Sequence, residues 1–151
     1  MKLEHLMQAY KINEIEAELK EETEATDING NKERAGVISF GNGISASYLL
    51  DDEEIVVAMK IFFNCLARNS FKVDTQISHA IKVITVMQNT IMLLSNIPQK
   101  ECNMILQSLG LFDNTFQKGK QIKHLEHEYR IEVVSGLLCL TIKEEDYHEN
   151  K

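Results

Sequence analysis

"KHLEHEYRIEV", residues 123–133, decides between two folds. Wound as a helix, the segment would set His124 and His127 on one face, three residues apart and able to share a metal ion. Drawn out as a strand, it sends Leu125, His127, Tyr129, Ile131 and Val133 to one side. His124, Glu126, Glu128, Arg130 and Glu132 then point to the other. A helix over residues 118–128 is the competing reading, because Ile122, Leu125 and Tyr129 also keep helical spacing. "YRIEVV" decides for the strand, since β-branched and aromatic side chains fit a half-buried pleated surface. The imidazoles then face apart, and neither a metal site nor any other cofactor is expected.

The residues that follow supply the partner strand. A turn at Ser135-Gly136 folds "LLCLTIK" back onto the first strand. Val133 then meets Leu138, Ile131 meets Leu140 and Tyr129 meets Ile142, while Glu128 meets Lys143 on the other face. One register gives apolar pairs and a charge pair together, as cross-strand packing requires.

A second hairpin is predicted upstream in "AGVISFGNGISASYLLD", residues 35–51. A two-residue turn at Asn42-Gly43 would oppose Phe40 to Ser45 and Ile38 to Ser47. A three-residue loop, Gly41-Asn42-Gly43, opposes Phe40 to Ile44, Ile38 to Ala46, and Gly36 to Tyr48, whose ring can cover the bare glycine. The second register puts all the large apolar side chains on one face, so it is preferred. The Gly-Asn-Gly also suggests a phosphate loop, but such loops lead from a strand into a helix, and here a strand follows.

Between the hairpins the pattern is helical. Asp51 with Glu54 has capping-box spacing, and "EEIVVAMKIFFNCLAR" reads as a helix over 52–68, apolar around most of its circumference. A longer helix starts at Asp74 or Thr75, its main face lined by Ile77, Ile81, Ile84, Met87, Ile91 and Leu94. Pro98 opens a third, with Ile105, Leu106 and Leu109 inward, and Gly110 followed by Leu111 marks a Schellman-type stop. Residues 1–24 read as a helical segment broken near Lys11–Asn13, with an acidic helical piece after the break. Residues 25–34 read as a flexible loop and 145–151 as a polar tail. The expectation is one α+β domain: N-terminal helix, β-hairpin, three central helices and C-terminal β-hairpin, the antiparallel sheet packed on helices.

Charge and composition narrow the function. The 151 residues carry a net charge of -7. Such a surface repels nucleic acid and anionic membrane, and the one basic cluster, Lys118, Lys120 and Lys123, is followed by Glu126 and Glu128. Cys65, Cys102 and Cys139 sit among apolar neighbours without disulfide or zinc spacing, as reduced thiols of a cytoplasmic protein would. No signal-peptide core or membrane-length apolar run is legible. His5, His79 and His148 are scattered, and no spacing assembles a catalytic triad.

Two functions fit. In the first, the chain is a non-catalytic interaction protein such as an inhibitor, adaptor, chaperone-like or regulatory subunit. It would bind another protein, or itself as a homodimer, through excess apolar surface around Met59, Phe62 and Phe63. In the second, a pocket between sheet and long helix takes a small molecule or supports a minor enzymatic activity, with Tyr48, His127 and Tyr129 as polar handles.

Overall fold

A computed structural model of the chain describes residues 1–26, 29–30, 32–64, 73–111 and 119–145. Its elements are α1 (Leu3–Ile12), β1 (Glu18–Thr26), β2 (Lys32–Gly41), β3 (Ile44–Leu50), β4 (Val56–Asn64), α2 (Val73–Ser95), α3 (Gln99–Ser108), β5 (Lys120–His124), β6 (His127–Val134) and β7 (Leu137–Glu144). The class is α+β, and the seven strands form one sheet in the order β1-β2-β3-β4-β7-β6-β5. Every neighbouring pair is antiparallel. The expected hairpins are therefore parts of longer meanders that meet at β4 and β7, and among the described residues two helices, not three, lie between them.

The C-terminal hairpin forms in the predicted register: Val133 opposite Leu138, Ile131 opposite Leu140, Tyr129 opposite Ile142 and Glu128 opposite Lys143. The charge pair closes at 3.5 Å. What precedes it differs from the sequence reading. The chain turns at Leu125-Glu126, so β5 pairs back on β6 and His124 lies directly opposite His127. The two imidazoles are cross-strand neighbours, not residues of a single strand facing apart. Leu125 is 69% exposed, with φ of 55°, so the inward position assigned to it does not hold. The turn contains no Gly or Asn to announce it.

In the N-terminal hairpin, Gly36 opposes Tyr48 and Ile38 opposes Ala46. Both two-residue turn and apolar register are satisfied at once, through a bulge. Asn42 and Gly43 have φ of 54° and 77°, as a two-residue type I′ turn requires. Between Ser39 and Gly41 the register shifts, which brings Gly41, not Phe40, opposite Ile44. Phe40, Ile44, Tyr48 and Leu50 are buried as expected.

Two helical assignments become strand. Residues 56–64 are β4, the fourth strand of seven; an apolar run that looks helical on all sides is a central strand with neighbours on both edges. Asp51 does cap, but it caps a turn: its Oδ1 accepts from the backbone N–H of Glu53 and of Ile55, each at 2.9 Å. The acidic piece after residue 13 is β1, paired along β2 with a bulge between Lys20 and Glu22. Both ends of the loop expected over 25–34 are strand, β1 running to Thr26 and β2 starting at Lys32. The polar tail lies outside the described residues beyond Glu145.

The break near residues 11–13 is real. The N–H of Ile15 bonds to the carbonyl of Tyr10 at 2.9 Å and that of Glu14 to Lys11 at 3.1 Å, a Schellman stop with Glu14 at φ 58°. The same motif ends α3: Leu111 N–H to Leu106 carbonyl, Gly110 N–H to Gln107 carbonyl. In α2 the buried stripe is Val83, Val86, Met87, Thr90 and Ile91, and Ile81, expected inward, is 60% exposed. Thr90 is tolerated there because its hydroxyl bonds to the Val86 carbonyl at 2.7 Å and to the Tyr10 hydroxyl at 2.5 Å. Full burial of each large side chain at this helix–sheet boundary contributes about 1.5–3 kcal/mol. Among the described residues, no single helix is long and apolar enough to cross a membrane.

Candidate functional site

The described helices leave the β1 edge of the sheet partly exposed. Cover begins at one edge, where α3 packs against β5; α2 lies on β4, and α1 lies beside α2. Tyr10 of α1 meets Phe40 of β2 edge-on, with ring centroids 5.3 Å apart. At the far edge, Leu19 of β1 stays partly exposed beside α1.

A groove results. Its first section, about 380 Å³, runs between Leu3 and Met7 of α1 and Leu19, Arg34 and Leu50 of the sheet. A second and more open section continues past Met7 along Lys11, Glu14, Ile15 and Ala17. Leu19 pairs with Ile38, so it is on the sheet face that the helices cover elsewhere. Ile38 is fully buried, whereas Leu19 is 47% exposed. Ile12, at the end of α1, is more exposed still.

Glutamates rim this apolar floor. Arg34 sits between two of them, its Nη1 2.7 Å from Glu54 Oε1 and its Nη2 in contact with Glu22. Hydrogen bonds to Glu54 and then Glu22 raise the guanidinium's pKa further, so its charge is permanent but neutralised. Glu16 reaches Lys82 at 3.7 Å. Glu4 and Glu14, also on the groove, form no ion pair among the described residues. The site is thus apolar below and anionic above.

The residues singled out from sequence are placed elsewhere. Met59 and Phe63 turn into the core between sheet and helices, where they are almost fully buried; Phe62, half-buried, is on the opposite face of β4. Tyr48 and Tyr129 share one cross-strand row, but Met59 and Ile142 stand between them and fill the space. Tyr48 covers Gly36, and its buried hydroxyl has no hydrogen-bond partner among the described residues. Tyr129 bonds through its hydroxyl to Ser95. His127 is 6.3 Å from the Tyr129 ring, centroid to centroid, and borders a separate narrow crevice with Leu94. The three polar handles therefore do not line a common cavity.

Sequence reading did not find Leu19, Met7 and Arg34. The available signal was Leu19 itself, a large apolar residue in "AELKEETEA", which points inward once the segment is read as a strand.

The described titratable groups carry little chemistry. Burial pushes the Cys102 thiol up to about 11 and raises that of Cys139, so neither is an activated nucleophile. Cys65 lies outside the described residues. His124 Nε2 is 3.2 Å from Glu101 Oε2 on α3, a contact that ties β5 to the helix layer. Among the described residues, no group of three or more His, Cys, Asp or Glu side chains could hold a metal ion. No family model, curated protein or solved structure matches this chain.

Proposed function

We propose that this chain is a small, non-catalytic, cytoplasmic interaction protein that acts by binding another polypeptide in the groove between α1 and β1. The observation that carries the reading is Leu19: a large apolar side chain on the sheet's helix-facing side, left 47% exposed where the helix layer runs out. A continuous apolar floor with a charged rim is how protein interfaces differ from ordinary surface. The buried positions of Met59 and Phe63 move the expected contact surface away from β4, while the class of function stays the same.

A photo-crosslinking residue at Leu19, introduced in cells that make the protein, tests this. A discrete polypeptide adduct is expected at Leu19 and none at Ser47, which is on the opposite face of the sheet. Equal labelling from both positions, or no polypeptide adduct at Leu19, would overturn the reading.

A further inference from the structure

The groove has a shape and a charge, and together they select a partner. Resting on the interaction reading above, we propose that it receives one amphipathic helix whose apolar stripe is flanked by lysine and arginine. The shape argument is the missing cover over β1. A helix laid alongside α1 extends the existing layer by one element and covers Leu19 and Met7. α1 has ten residues, so a helix of about three turns matches its length. A strand added at the β1 edge is the competing geometry. The bulge between Lys20 and Glu22 interrupts the row of backbone groups that such an addition would need.

Charge sets the polarity of the partner. Two cations line the groove: Arg34 is already held by Glu22 and Glu54, and Lys11 shares the second section with Glu14 and Glu16, so glutamates outnumber cations along its length. Glu4 and Glu14 on the groove, with Glu21 and Glu24 on β1, form no ion pair among the described residues. The whole chain adds a field of the same sign, with its net charge of -7. A helix carrying Lys or Arg on either side of a leucine stripe satisfies both floor and rim, while an acidic helix of identical stripe is repelled.

The test uses the full chain and three labelled peptides of about 18 residues. One has leucines at i, i+3, i+4 and i+7 spacing flanked by lysines. The second replaces its lysines by glutamates, and the third keeps the basic composition but is broken by prolines. Fluorescence anisotropy is expected to show binding of the basic helix alone, with a gain in helical circular dichroism and weakening by salt. Glu4→Lys with Glu14→Lys should weaken it about tenfold and admit the acidic peptide. Leu19→Asp, or Met7→Gln if the first variant melts early, should abolish it.

Equal binding of basic and acidic peptides would overturn the charge selection. Leu19-dependent binding of the proline-broken peptide would overturn the helical occupant while keeping the groove as an interaction site. Absence of peptide binding, with a concentration-dependent dimer that Leu19→Asp dissociates, would make a second copy the occupant. Absence of both, together with no adduct from Leu19, would remove the interaction reading as well.

Discussion

The two ends of the sheet are finished differently. At the β5 end a helix closes the structure: Ile122 packs against the core, His124 reaches Glu101 of α3, and α3 ends in a hydrogen-bonded Gly110 stop. At the β1 end no described helix completes the cover, and Leu19 meets water although it sits on the same face as Ile38. Both ends are built from charged strands, acidic in β1 and basic in β5. What also differs is the number of helices over them. The closed end buries its apolar side chains, and the open end leaves Leu19 at the surface.

The contrast should show most strongly in paired truncations. Leu106→Ala on α3, where the side chain is fully buried, is expected to cost about 2–5 kcal/mol. Leu19→Ala, at the open end, should stay within about 0.5 kcal/mol. Chemical denaturation of both variants measures the difference, and similar losses would mean that the β1 end is closed too. Next in size is Gly36→Ala, one strand in from β1. An added Cβ would stand 2.5 Å from Tyr48 Cζ and 2.8 Å from the Glu21 carbonyl oxygen, which is expected to cost about 1–3 kcal/mol. Adding Tyr48→Leu should return part of that loss in thermal melts.

Each end also holds one side chain in the left-handed backbone region, Glu14 after α1 and Leu125 in the β5–β6 turn. Glu14→Gly and Leu125→Asn should each raise stability by about 1 kcal/mol or less, because the replacements adopt that conformation more readily. A gain at only one end would show that the other turn relaxes in solution. The smallest effect concerns pH. Burial holds the His127 imidazole below its ordinary pKa of 6.5, with Glu126 pulling the other way. The unfolded chain therefore binds the extra proton first, so this residue removes stability as pH falls through 6.5 and adds no further loss once the folded ring is also charged. His127→Gln should flatten the stability–pH curve in that window, as read by urea unfolding at stepped pH. His124→Gln breaks the link to Glu101 and tests the closed end separately.

Much of the fold was legible where two faces of one strand had different neighbours. The β6–β7 register followed from alternation alone, because only one pairing puts Ile131 against Leu140 while joining Glu128 to Lys143. Tyr48 over Gly36, the break after α1 and the stop after Gly110 were legible because each is a local device with its own residue signature. β4 was misread because a central strand is apolar toward both layers and mimics a buried helix, and because Asp51 bonds a turn as well as it bonds a helix start. β1 was misread because glutamates favour helices, while its strand form comes from pairing with β2. The candidate site could not be read without β1. It is assembled from α1, β1, β2 and the turn after β3, segments whose proximity exists only in the finished sheet.

The free edges of this sheet carry opposite signs. β1 holds Glu18, Glu21, Glu22 and Glu24 against one lysine, and β5 holds Lys120 and Lys123. Two molecules meeting through the same edge would set like charges together, and in β1 the bulge also breaks the row of backbone groups that edge pairing needs. Added salt would screen that repulsion, which makes ionic strength a practical control on how this molecule is handled.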